Sequence, residues 1–184
     1  MTGRAVLSLF RCSDRRLSGA LDRALRRLPE FRGDPIRLHY ARGLRDRFGP
    51  VHAGTFLRER RIALDCPARE FPRILAHEIF HFVWLRAGNR RRWEFESLIR
   101  GELSARVRGE LGWSAEWRKR ELSPADVLSR GRRWREYCCE SFCDTAAWVY
   151  CSPPAHPEFT LSRAGRKKRR AWFEAVLGRG PLPV

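Results

Sequence analysis

The apolar positions change period part-way along the chain. Ile36-Arg37-Leu38-His39-Tyr40 alternates with period two, which predicts a half-buried strand. Residues 4–10 predict another short strand. Between them Leu17, Leu21, Leu25 and Leu28 recur at helical spacing, predicting a helix over 14–29 that packs on a sheet, with Ser13 or Asp14 as its N-cap. Gly33-Asp34-Pro35 and Gly49-Pro50 read as breaks. Gly54 to Cys66 reads as strand material with a bend near Arg58–Arg61, resuming as Ile62-Ala63-Leu64-Asp65.

Beyond Pro67 the pattern turns helical. Pro72 suits the first turn of a helix that Gly88-Asn89 ends. Residues 90–131 form a strongly basic block, mostly helical in pattern, with breaks expected at Gly101, Gly112 and Ser123-Pro124. A helix over 132–150 is stopped by Pro153-Pro154, and an amphipathic helix over 162–177 precedes the tail. There is no internal repeat and no low-complexity linker. The expectation is one α+β domain over 1–184, with a small N-terminal mixed sheet, a mainly helical C-terminal half and 90–131 as a basic helical insertion.

The helix after Pro72 carries the chemistry. His77-Glu78-Ile79-Phe80-His81 reads H-E-x-x-H between Ile74-Leu75-Ala76 and Phe82-Val83-Trp84. Residues four apart share a helical face, so both imidazoles can reach one metal ion. Glu78, rotated by about 100°, can act on a water beside that ion as a general base without being a ligand. The helix is apolar nearly all round, so two imidazoles and a carboxylate would be buried together. Buried polar groups need partners, and a metal supplies one for all three.

A catalytic zinc site needs a third protein ligand and an open position. His39, His52 and His156 do not follow the motif at short spacing, which favours a carboxylate. Glu140 and Asp144 are four apart in Glu136-Tyr137-Cys138-Cys139-Glu140-Ser141-Phe142-Cys143-Asp144. One can bind zinc while the other accepts the free N–H of a ligand histidine and fixes its orientation. Glu136 competes as ligand, and Cys143, one turn from Glu140, can line the site or ligate. Glu94, Glu96 and Glu102 are weaker candidates, explained by ion pairs within the basic block. Tyr137, Tyr150 and His156 are candidate oxyanion donors, and the strand Ile62 to Asp65 is a natural edge for an extended substrate.

H-E-x-x-H followed by E-x-x-x-D on a second helix resembles the thermolysin-like gluzincins, and more closely the ImmA/IrrE family of small metallopeptidases. The residues that carry the likeness are Arg61-Ile62-Ala63-Leu64-Asp65, then Arg73-Ile74-Leu75-Ala76-His77-Glu78-Ile79-Phe80-His81, then Glu140-Ser141-Phe142-Cys143-Asp144. It spans roughly 54–87 and 136–150, under a third of the chain. The resemblance implies a zincin-like metallopeptidase domain, with His77, His81 and Glu140 as Zn2+ ligands, Glu78 as base and Asp144 in support of the ligands. The substrate it implies is an internal peptide bond of a protein or peptide.

Composition adjusts this picture in three ways. A length of 184 residues with 43% apolar residues and seven Trp is enough for one packed core. No apolar run approaches the ~20 residues of a membrane span, and Ala5 to Phe10 is too short for a signal-peptide core, so a cytoplasmic location is expected. The six cysteines, three of them in one helix, are expected to be reduced. The formal charge of +17, from 38 Lys plus Arg against 21 Asp plus Glu, attracts polyanions without specifying which. Arg90-Arg91-Arg92, Arg118-Lys119-Arg120, Arg130 to Arg135 and Arg166 to Arg170 read first as solvated surface. The alternative function is therefore a basic, nucleic-acid-associated protein whose zinc is structural and turns over nothing.

Overall fold

The computed structural model describes residues 9–12, 14–46, 49–151, 153 and 155–184. The fold is mixed α+β. Strands β1 (Phe10–Cys12), β3 (Ile36–Tyr40), β6 (Ala53–Phe56) and β7 (Arg61–Leu64) form a four-stranded sheet in the order β1-β3-β7-β6. The first three run parallel and β6 is antiparallel to β7, with Thr55 opposite Ile62. Two minor pairs complete the strands: β2 (Phe31–Arg32) beside β8 (Leu182–Pro183), and β4 (Arg45–Asp46) beside β5 (Gly49–Pro50).

Helix α1 (Arg15–Leu25) packs against β1 and the central helix α2 (Phe71–Arg86). Next come α3 (Gly88–Ser104), α4 (Trp113–Arg120), α5 (Pro124–Leu128), α6 (Arg132–Cys151) and α7 (Arg163–Leu177). Among the described residues, helices α2 and α6 make the most extensive contact between elements. Phe80 of α2 joins Phe142 of α6, Phe173 of α7 and the ring of Tyr150 in an aromatic core. A helix buried nearly all round, as α2 is, has no solvent face on which to place polar groups, so each one it carries must be satisfied by a neighbour.

Several expectations shift in the structure. The first strand lies at Phe10–Cys12, and residues 4–8 of the expected strand, like the Ser13 cap, fall outside the described residues. Helix α1 ends at Leu25, leaving Leu28 in the turn that follows. Gly49-Pro50 forms a two-residue strand rather than a plain break. Gly101 does not interrupt α3: nothing lies within 4 Å of where its Cβ would stand, and the break falls at Arg106, at φ 54°. The tail is not loose, since Leu182 and Val184 are buried and β8 pairs with β2. Ile62 to Leu64 is not the sheet edge; β7 is flanked by β3 and β6, which leaves β6 at the margin.

Among the described residues the six cysteines are free thiols. No described helix is long and apolar enough to cross a membrane. The run Arg166 to Arg170 is not uniformly solvated. Arg169 is fully buried in the stripe Gly165, Arg169, Phe173 and Leu177 along α7. It forks onto Glu102 of α3 at 2.6 Å and onto Glu110 at 2.7 Å. Tyr137 and Ser141 of α6 donate to the same Glu110 carboxylate.

Candidate metal centre

The antiparallel packing of α2 on α6 builds the site. His77 and His81, one turn apart, face a four-residue patch of α6 formed by Cys139, Glu140, Cys143 and Asp144. Asp144 Oδ1 lies 2.8 Å from His77 Nδ1, and Cys139 Sγ lies 3.4 Å from His81 Nδ1. With each Nδ1 held, the two Nε2 atoms turn toward one another at 3.2 Å. A four-coordinate ion with metal–nitrogen bonds of about 2.0–2.1 Å holds two nitrogens about 3.3 Å apart. The ring pair therefore already has the separation that a shared ion requires.

His77, His81 and Cys143 form a group positioned to hold a metal ion, with ligand atoms all within 4.8 Å of one another. Glu140 approaches from the His77 side, its Oε2 3.3 Å from Nε2. The other Glu140 oxygen meets Arg118 Nη2 at 3.3 Å. The rival carboxylate Glu136 is turned to the surface, where it pairs with Arg132 at 2.6 Å. Glu78, 8% exposed, accepts a 2.6 Å hydrogen bond from the Thr55 hydroxyl on β6, which also donates to the Glu78 carbonyl. The motif helix is thereby tied to the sheet margin.

Of the three candidate oxyanion donors, Tyr137 and His156 have their polar atoms engaged elsewhere. Tyr137 donates to Glu110 in the buried Arg169 network. Tyr150 stacks on Phe80 with ring centroids 5.5 Å apart. His156 lies 3.3 Å from Glu70 and accepts from the Glu158 N–H. Four residues of the site, Thr55, Cys139, Gly112 and Arg118, lie outside the motifs. Thr55 and Gly112 carry no sequence signal. Cys139 had one, because it precedes Glu140 and lies four residues before Cys143. Arg118 was hidden in a charge run. The basic block reaches the site through α4, whose Ala115 N–H donates to Asp144 Oδ2 at 3.2 Å.

Electrostatics in the cluster favour charge separation. Burial opposes the charged forms of both rings, but it is outweighed. The charge and hydrogen bond of Asp144 with the Glu140 contact raise His77 well above its usual range, and Cys139 with Glu140 lifts His81 to about 9. Burial likewise opposes the Glu140 carboxylate, yet the His77 hydrogen bond and the charges of His81, His77 and Arg118 hold it down to about 2. The His81 pairing stabilises the metal-free fold fully below pH 6.5 and is lost as pH rises through about 9.

A metal needs the ring lone pairs, so it must displace protons that this pairing retains at neutral pH. Binding at pH 7 is expected to release at least one proton per ion and to tighten as pH rises toward about 9. Calorimetric titration in two buffers of different ionisation enthalpy reads this directly. Equal heats in both buffers would show that the rings are neutral before the ion arrives.

Asp144 is the main support of His77. Asp144→Ala is expected to weaken metal binding about 10–100-fold, measured by competition with a chromophoric chelator. Gly112→Ala should reproduce much of this loss, because a Cβ there would collide with the Asp144 carboxylate. The Gly112 backbone is extended at φ −173°, so crowding rather than backbone strain is the defect. An unchanged affinity in both variants would remove Asp144 from the site.

Comparison with protein-family models, with characterised proteins and with solved structures yields no match.

Proposed function

We propose that this chain is a zinc-dependent metallopeptidase of the zincin kind, as its likeness to the ImmA/IrrE peptidases implies. The observation that carries the reading is the placement of two facing imidazole Nε2 atoms and the Glu78 carboxylate on one helix, against donor groups on a second. The residues that would hold zinc are His77, His81 and Glu140, a nitrogen and oxygen set that suits it. When bound, zinc acidifies water toward a pKa of about 7 and polarises a carbonyl.

The chain's own groups supply the rest. Glu78, oriented by Thr55, takes the proton of the attacking water and returns it to the leaving amine. An extended peptide adds to the outer margin of β6 through main-chain hydrogen bonds, which brings its carbonyls alongside Glu78. Arg118, paired with Glu140 and 34% exposed, is the cationic donor best placed to meet a developing oxyanion at the rim. It is better placed for that role than Tyr137 and His156, which are held by Glu110 and Glu70. His77 and Glu140 keep 14% and 15% of their side-chain surface exposed, which gives the site its opening.

The test is incubation of the zinc-loaded protein with a mixture of unstructured peptides, with new termini read by mass spectrometry. Chelator-sensitive cleavage that Glu78→Gln abolishes supports the reading. Cleavage that persists in Glu78→Gln overturns the assignment of the base.

One surface feature favours a second reading, nucleic-acid binding around a structural ion. A cleft of about 480 Å³ along α3 is lined by Trp93, Glu96, Ser97, Arg100 and Arg130, with Arg130 paired to Glu96 at 2.8 Å. Trp93 is 52% exposed, with the Arg130 guanidinium 5.5 Å from its ring centre, an arrangement on which an unpaired base can stack. This reading expects a single-stranded oligonucleotide to quench tryptophan fluorescence with a steep salt dependence. It also expects that signal to vanish in a Trp93→Ala, Arg100→Ala double variant. Binding unchanged in the variant would move any polyanion site elsewhere.

A further inference from the structure

The α6 patch facing the histidines consists of two adjacent pairs, Cys139 with Cys143 and Glu140 with Asp144. In each pair the residues are four apart and therefore on one face. The members nearer the two ends, Cys139 and Asp144, hold the Nδ1 atoms of His81 and His77. Of the inner members, Glu140 reaches His77 Nε2 at 3.3 Å, and Cys143 Sγ lies within 4.8 Å of a ring nitrogen of each histidine. Beside the close group of two nitrogens and a sulfur from His77, His81 and Cys143 stands a further donor, the Glu140 carboxylate 3.3 Å from His77 Nε2.

Cys143 is fully buried, and its Sγ lies within 4.8 Å of the ligand atoms of both histidines. Metal–sulfur and metal–nitrogen bonds of about 2.3 and 2.0–2.1 Å in tetrahedral geometry put sulfur and nitrogen about 3.5 Å apart. That separation falls inside the observed limit. A buried thiol elsewhere in the chain, Cys151, packs beside the apolar Ala76 and Ala147. Cys143, although part of the main apolar core, also has both metal-facing histidines within reach.

We propose that Cys143 supplies a thiolate as a fourth protein donor, so that the metal centre rests closed and the peptidase is latent. This rests on the metallopeptidase reading and deepens it. Four protein donors are the mark of a structural zinc site, whereas catalysis needs one position open to water. With zinc bound, the Cys143 sulfur would fill the coordination position that catalysis needs for water. Glu78 stays held by Thr55, and the chemistry waits on withdrawal of the thiolate.

The test uses the full chain loaded with Co2+, which reports its ligands by absorption. The wild type is expected to show a sulfur-to-cobalt charge-transfer band in the near ultraviolet together with visible ligand-field bands. Cys143→Ser should lose the first and keep the second, while Cys139→Ser keeps both. The zinc-loaded Cys143→Ala protein should cleave peptides about tenfold faster than wild type or more.

Visible bands without charge transfer in the wild type would overturn the thiolate and leave the peptidase reading standing. Charge transfer that survives Cys143→Ser and disappears in Cys139→Ser would assign the sulfur to the wrong residue. Charge transfer in the wild type, combined with cleavage by Cys143→Ala that is no faster, would overturn latency. The peptidase reading itself fails if neither wild type nor Cys143→Ala cleaves any peptide, whatever the cobalt spectrum.

Discussion

Glu78→Gln is expected to lower kcat for peptide hydrolysis by about 10²–10⁴-fold, the usual contribution of a positioned general base, while metal content is unchanged. The substitution isolates the proton transfer. The amide that replaces the carboxylate retains an oxygen that can accept the 2.6 Å hydrogen bond from Thr55, so the side chain keeps its place against β6. What it loses is basicity. Because the Glu78 side chain is turned to Thr55 on β6, the ion should stay. Single-turnover cleavage combined with elemental analysis separates the two effects. An active variant would mean that another group takes the proton; a variant that has lost its metal would make Glu78 part of the coordination.

Arg169→Met is expected to destabilise the fold by about 3–5 kcal/mol, the range for stripping one partner from a buried ion pair. At this chain length the loss corresponds to a Tm lower by on the order of 10 °C. Arg169 is fully buried, and its guanidinium joins α7 to Glu102 on α3, to Glu110, and to Ser141 and Thr145 on α6. Removing it strands two buried carboxylates, of which Lys119 still reaches only Glu110, at 3.3 Å.

Arg169→Lys keeps the charge but not the planar fork, so it should recover only part of the loss. Ser141 and Thr145 each follow a residue of the metal-facing patch, Glu140 and Asp144. The Arg169→Met variant should therefore also weaken metal binding, through the position of α6. Urea denaturation monitored by tryptophan fluorescence measures the first effect. A change below about 1 kcal/mol would place Arg169 among the replaceable buried groups.

Much of the fold was legible from periodicity. Ile36–Tyr40 alternates and is a strand. The apolar run after Pro72 is the central helix, and Ser123-Pro124 opens α5 with a capping box. These signals are local, since they depend on side chains a few residues apart and on backbone rules that hold wherever the segment lies. The misplaced features were those decided by distant partners. Gly101 reads as a breaker, yet stays helical because neighbouring turns of α3 carry Phe95, Ile99 and Glu102 into the interior. Leu182 and Val184 read as tail until Phe31 and Arg32 are brought beside them. Arg169 read as one cation in a basic run. Its place four residues before Phe173 was the available hint, and the two glutamates that neutralise it lie far back in the chain.

By itself the sequence determined that His77, Glu78 and His81 share a helix, that Glu140 and Asp144 share another, and that both helices are apolar enough to be buried. Helical geometry makes each statement local, and each is seen in α2 and α6. Only the tertiary structure decided how the two faces register. Antiparallel packing sets Asp144 on His77 and Cys139 on His81, turns the Nε2 atoms inward, and brings Cys143 to the same junction as Glu140. Thr55 and Arg118 join from β6 and α4 because the sheet margin and the basic block pack around that helix pair. The physical reason is that coordination needs several donors within a few ångströms. Periodicity assigns residues to faces, and only packing brings faces together.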